Sequence, residues 1–142
     1  MKILNVKTRQ RNIGNIGERA AARYLFFRGY RILKRNAVFD THEVDIIAKR
    51  GFEIVFVEVK TRSIETLSEF DPPPRVAVTK EKMAGIIREA GMQYGMLRYT
   101  DERYRARFDV IEVYLKNGRV DRIENLISAY TKNTAKTRRK RK

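Results

Sequence analysis

Apolar and polar positions change period several times along this chain, and each change marks an element. In "NIGERAAARYLFFRGY" the residues Ala20, Ala21, Tyr24, Leu25 and Phe27 supply a broad apolar surface at helical spacing. Asn15 suits the N-cap and Gly29 the position after the last turn, so a helix is expected between them. "YRILKRNAVFD" reads as a short strand with Tyr30, Ile32 and Leu33 half-buried, and "EVDIIA" (43–48) as a second. Lys49-Arg50-Gly51 turns the chain into "EIVFVEVKTR" (53–62), a third strand rich in β-branched residues. Three consecutive prolines in "SIETLSEFDPPPR" forbid regular structure there. "TKEKMAGIIREAGMQYGML" predicts a second helix through Met83, Ile86, Ile87 and Ala90, with Gly85 and Gly91 leaving its end open. "RARFDVIEVYL" (105–115) is a fourth strand, Asn117-Gly118 a turn, and "RVDRIENLISAY" a short final strand or helix.

The order is α-β-β-β-α-β. That is an α/β chain whose mixed sheet is flanked by helices, because Val55, Val57 and Val59 face one way and Ile54 and Phe56 the other. One domain over 13–130 is expected, between a basic arm (1–12) and a basic, disordered tail (131–142).

Two charges break this pattern. Glu58 and Lys60 fall on the side of Ile54 and Phe56, where the strand is otherwise built for a core. In the preceding strand Glu43, Asp45 and Ile47 share one face, and Val44 and Ile46 take the other. A hairpin centred near Gly51 would bring Asp45 close to Glu58. An ordinary cross-strand ion pair with Lys60 is the plain reading. Two carboxylates to one ammonium, however, leave a net negative site, which is costly in a poorly solvated cleft. A divalent cation with a taste for oxygen, Mg²⁺ or Mn²⁺, would remove that cost. Such an ion polarises a phosphodiester and acidifies water, while Lys60 offsets charge on the phosphate. Glu18 supports two readings. Asn15-x-x-Glu18 resembles a capping box, yet on a helical wheel Glu18 lies inside the apolar arc and would face the sheet.

Composition narrows the partner. Of 142 residues none is cysteine and His42 is the single histidine, so disulfides, thiolate metal sites and a Ser-His-Asp triad are poorly supplied. The start lacks an apolar leader and no stretch reaches membrane-spanning length, so a cytoplasmic protein without membrane is expected. Lys and Arg number 32 against 17 acids, a net +15, and the excess sits at the two ends. The tail, with Arg138, Arg139, Lys140 and Arg141, reads either as a solubility tail or as an arm on a polyphosphate backbone. The charge balance favours nucleic acid over an anionic membrane, since the tail has no aromatics or apolar face. Lys80 and Lys82 suit phosphate contacts or a solvated helix face.

Asp45 followed thirteen residues on by Glu58-Val59-Lys60 resembles the PD-(D/E)xK nuclease superfamily with its restriction-endonuclease-like αβββαβ core. More closely, "GERAAARYLFFRGYRIL", "EVDIIAKRGFEIVFVEVKTR" and "RFDVIEVY" resemble the bacterial YraN family, which is similar to archaeal Holliday junction resolvases. The resemblance covers about residues 12–115. It implies that Asp45 and Glu58 are metal ligands with the carbonyl of Val59, that Lys60 is the catalytic lysine, and that Glu18 is the helix-borne glutamate. Glu43, in the same block, would support the ligands, and Arg107 with Asp109 match a family block but suit a structural ion pair better than a catalytic role. Arg62, one step further along the face of Glu58 and Lys60, would by its position hold a phosphate. A homodimer is implied, with DNA as a likelier partner than RNA. The sequence departs from the family at His42, where glycine is usual, and a packed or surface role suits that histidine better than ligation. Two functions stay open: a Mg²⁺-dependent endonuclease, and a non-catalytic nucleic-acid-binding accessory of DNA repair, recombination or uptake. A basic RNA- or ribosome-associated protein is a third.

Overall fold

The computed structural model describes residues 2–39, 42–67, 80–90 and 105–131. Helix α1 (Lys2–Phe27) leads into strands β1 (Arg31–Phe39), β2 (His42–Arg50) and β3 (Glu53–Ser63), which ends in a 3₁₀ turn (Ile64–Thr66). Helix α2 (Lys80–Ala90) then precedes β4 (Arg105–Lys116) and β5 (Arg119–Thr131). The proline run, the chain after Ala90 as far as 104, and the tail arginines and lysine Arg138, Arg139, Lys140 and Arg141 lie outside the described residues.

The five strands lie in sequence order, β1-β2-β3-β4-β5. Only β3 and β4 run parallel, so the connection that contains α2 crosses from one end of the sheet to the other. Among the described residues, α1 and α2 cover opposite faces. Ala21 and Leu25 of α1 pack with Ile46, Val55, Val57 and Val113, while Ile86 of α2 packs with Phe39, Ile47, Phe56 and Phe108. Leu25 and Ile86 are fully buried, and each such side chain stabilises the fold by roughly 1.5–3 kcal/mol. Both faces being covered explains why β3 and β4 are apolar on both sides. This is the mixed, helix-flanked α/β sheet expected of the sequence, consistent with a restriction-endonuclease-like core.

Three local expectations change. The first helix begins at Lys2, so Asn15 lies well inside it and caps nothing. Residues 2–13 contain no proline or glycine and several good helix formers, so propensity carries the helix back through the basic segment. Without a cap at Asn15, the capping-box reading of Glu18 falls away. The second change is β5, a strand of 13 residues rather than a short element. Asn117 and Gly118 both adopt positive φ (51° and 75°), the pairing of a tight hairpin turn whose twist matches the flanking strands. That turn returns the chain antiparallel along β4, with Lys116 opposite Arg119.

The third change lies in β2. Strict alternation would put Val44 and Ile46 on one face. Instead Val44 packs on the α2 side with Ile47, and Ile46 on the α1 side. The side-chain period therefore slips once, at Asp45.

Candidate active-site cleft

The β2–β3 ladder runs from Arg50↔Glu53 to Ile46↔Val57, as the Gly51 turn predicts, and stops there. The next opposed pair would be Asp45 and Glu58. Instead the two strands part, and the amide of Val59 donates to Asp45 Oδ2 at 2.7 Å. A side-chain carboxylate thus takes over where the backbone ladder ends. The parting opens a cleft of about 580 Å³ lined by Glu18, Asp45, Glu58, Val59, Lys60 and Arg62, together with Ile13, Thr61 and Thr66.

Helix α1 closes one side of this cleft by an unusually close approach. A Cβ on Gly17 would lie 1.7 Å from Thr61 Oγ1, so only glycine lets the helix backbone sit against β3 at this level. The neighbouring residue, Glu18, is thereby held over the cleft. The apolar-arc reading of the helical wheel is the one that matches its position.

Asp45 carries the electrostatic signature. Its pKa is pushed up to about 6, chiefly by burial, which disfavours the charged form. The Val59 hydrogen bond works against that rise, the nearby Glu58 and Glu18 carboxylates add to it, and Lys60 offsets part of it. Three carboxylates are therefore close enough to feel one another. Glu58 is paired with Lys60 at 3.4 Å, and Glu18 with Arg35 at 3.8 Å. Asp45 is held by the hydrogen bond from the Val59 amide.

Among the described residues no group of three His, Cys, Asp or Glu side chains already stands as a ligand cage. The donor chemistry nevertheless fits a hard cation. All candidate side-chain donors are oxygens, one is buried with its charge poorly compensated, and the two glutamates are turned toward ammonium or guanidinium groups that a cation could displace.

The other expected residues fall into separate places. Arg62 lines the cleft beyond Lys60. Glu43 is exposed on β2, opposite Val38, and does not line the cleft. Lys80 opens α2, its side chain lying outside what the structure describes, and Lys82 follows in the first turn and does not line the cleft. His42 packs against α2, with Nδ1 3.0 Å from Glu89 Oε2 and its ring against Gly85, which matches a packed rather than a ligating histidine. Arg107 and Asp109 form the expected ion pair, bidentate at 2.9 Å. The sequence reading misses Arg35. It stands in "LKRN", where neighbouring polar residues look like any solvated edge, and only the fold brings it to Glu18.

Comparison with known proteins adds the family. The model of the "Uncharacterised protein family UPF0102" matches residues 17–113, which contain the blocks of the YraN-like resemblance save the last residue of the third, Tyr114. A UPF0102 protein of Caldanaerobacter subterraneus is 36% identical over 132 residues, covering 92% of this chain and all of the relative. One from Caldicellulosiruptor saccharolyticus is 42% identical over 75% of this chain and 85% of its own. One from Moorella thermoacetica is 40% identical over 87% of this chain and 98% of its own.

Proposed function

The chain belongs to the UPF0102 family, and from the chemistry of its cleft we propose that it is a divalent-metal-dependent endonuclease that hydrolyses DNA phosphodiesters, at branched or otherwise structured DNA. One observation carries the reading. A half-buried aspartate with a raised pKa sits beside two further carboxylates, in a cleft whose remaining charged residues are cations suited to phosphate. A surface that merely bound nucleic acid would gain nothing from carboxylates that repel its ligand.

In this reading Asp45, Glu58 and the carbonyl of Val59 hold Mg²⁺ or Mn²⁺, with Glu18 completing the set from α1. The ion would supply Lewis acidity toward the phosphate and lower the pKa of the attacking water. The chain's own residues do the rest. The Val59 amide fixes Asp45 through Oδ2 at the wall of the cleft. Lys60, released from Glu58, offsets charge that develops on the phosphate. Arg62, further along the same strand, grips the phosphate. The basic arm and tail supply non-specific backbone affinity in the cytoplasm, and two copies of the chain would address two strands of a junction.

The test is incubation of the protein with labelled four-way-junction, flap, single-stranded and duplex DNA, with and without Mg²⁺ or Mn²⁺. The expected outcome is metal-dependent cutting that falls by about 100-fold or more in Glu58→Ala and Lys60→Ala. Cutting by both variants at the wild-type rate would sink the catalytic assignment. Tight binding with no cutting under any metal would leave the non-catalytic accessory as the better account.

A further inference from the structure

The slip in β2 has a partner in β1. On the side of the sheet ends nearer the turn, Arg35 reaches Glu18 of α1 and pairs in register with Ile46, which also packs on the α1 side. Two residues on, Ala37 pairs with Val44, and both pack on the α2 side. Phe39 and His42 pair next, again toward α2, where His42 meets Gly85 and Glu89. Residues an even number apart in a strand should share a face. Arg35 and Phe39 do not, and neither do Ile46 and His42.

Beyond an irregularity in β1 between Ile32 and Lys34, both strands therefore change face together at the opposed pair Asn36 and Asp45. The register is unbroken across it, Arg35↔Ile46 on one side and Ala37↔Val44 on the other, but no rung joins Asn36 to Asp45. Each strand drops one residue out of the pleat, and the two irregularities cancel in register. Asn36 takes this step in the left-handed region, with φ 52°. Asparagine tolerates that region far better than other residues with a side chain, glycine aside.

The consequence falls on Asp45. In a regular strand its side chain would stand perpendicular to the sheet. At the slip it reaches sideways, to the Val59 amide of the neighbouring strand.

We infer that Asn36 is a positioning residue: its left-handed backbone, opposite Asp45, turns that carboxylate into the opening between β2 and β3 and sets the Asp45–Val59 hydrogen bond. Asn36 is exposed and its distinguishing feature is its positive φ, so its part is played by the backbone. A glycine should serve in its place, and a β-branched residue should not.

The inference rests on the proposed metal site only for its cation readout, and its first readout needs no activity. Amide hydrogen exchange at Val59 and Val57 is measured in wild type, Asn36→Gly, Asn36→Ala and Asn36→Val, beside global unfolding of each. The expected result is faster exchange at Val59 but not at Val57 in Asn36→Ala and Asn36→Val, with Asn36→Gly like wild type. Mn²⁺ affinity, followed by the ion's own magnetic resonance signal, should fall about tenfold in Asn36→Ala and be kept in Asn36→Gly. Should Asn36→Val fail to fold, the alanine and glycine pair decides the matter. Unchanged Val59 exchange in Asn36→Ala, or equal loss in alanine and glycine, overturns the inference. Because the exchange readout is independent of cleavage, a protein that never cuts DNA but shows this Val59 pattern would refute the nuclease and keep the positioning role.

Discussion

Two clusters of charge lie in this sheet, and they are built on opposite principles. In the first, Asp109 is completely buried, and Arg107 grips it through Nε and Nη2, both at 2.9 Å. Arg107 also donates to Tyr30 Oη at 2.7 Å and to Glu53 Oε2 at 2.9 Å. Burial alone works against the guanidinium charge, yet the hydrogen bonds to Asp109 and Tyr30 hold its pKa above its ordinary value. In the second cluster, Asp45 has its pKa raised by burial and by two neighbouring carboxylates. Buried charge is tolerated in the first because donors and acceptors match in number and geometry. In the cleft the carboxylates outnumber what is given to Asp45, an imbalance that a proton, or the cation of the proposed site, would relieve. An excess of like charge at the end of a rigid strand marks a site, whereas a balanced cluster marks a brace.

The largest effect should come from breaking the brace. Arg107→Ala leaves Asp109 buried without its guanidinium and should cost about 3–5 kcal/mol, read as a lower midpoint in urea unfolding.

The cleft should respond with the opposite sign. Asp45→Asn keeps an acceptor for the Val59 amide and removes the buried charge. It should raise the stability of the metal-free protein at pH 7 by about 1–2 kcal/mol, after allowing for solvent screening, while abolishing Mn²⁺ binding. The pH dependence follows from the same shift. Asp45 has a folded pKa of about 6, above its unfolded value of 3.8, so between these the folded state binds more protons. Its contribution therefore makes the metal-free protein more stable as the pH falls from 7 toward 4, and wild type but not Asp45→Asn should show it. Cation affinity runs the other way and should weaken below about pH 6, about tenfold per pH unit for one displaced proton. A flat affinity from pH 7 to 5 would mean that Asp45 is not a ligand.

The smallest effect concerns Arg35. In the proposed site it would compete with the cation for Glu18, so Arg35→Ala should tighten Mn²⁺ binding in the absence of DNA by about two- to fivefold, the range of a part-exposed ion pair. Weaker binding would instead make Arg35 a support of the site rather than a competitor.

Much of this was legible in the chain itself. Alternation in "EIVFVEVKTR" is a local property, so it identified β3, its two covered faces and the odd position of Glu58 and Lys60 without knowledge of any neighbour. The Gly51 turn, with φ 58°, similarly determined that β2 folds back on β3 and that Asp45 approaches Glu58. Other features depended on what the chain meets in space. Helical propensity in residues 2–13 outweighed an attractive cap at Asn15, because a cap is needed only where a helix has reason to start. The length of β5 followed from having β4 to pair with, a long-range gain invisible in its own irregular pattern.

The site divides along the same line. The residue types that could hold a cation and meet a phosphate, Asp45, Glu58, Lys60 and Glu18, were determined by the sequence. The hairpin brings Asp45 toward Glu58, but the final arrangement, with Glu18 joining from α1, was decided by tertiary structure. It required the end of one ladder, a glycine that lets α1 touch β3, and a paired slip at Asn36 and Asp45 that overrides a period of two. A strand's pattern records which faces are covered, but where two strands part company is settled by their neighbours, and there the carboxylates meet.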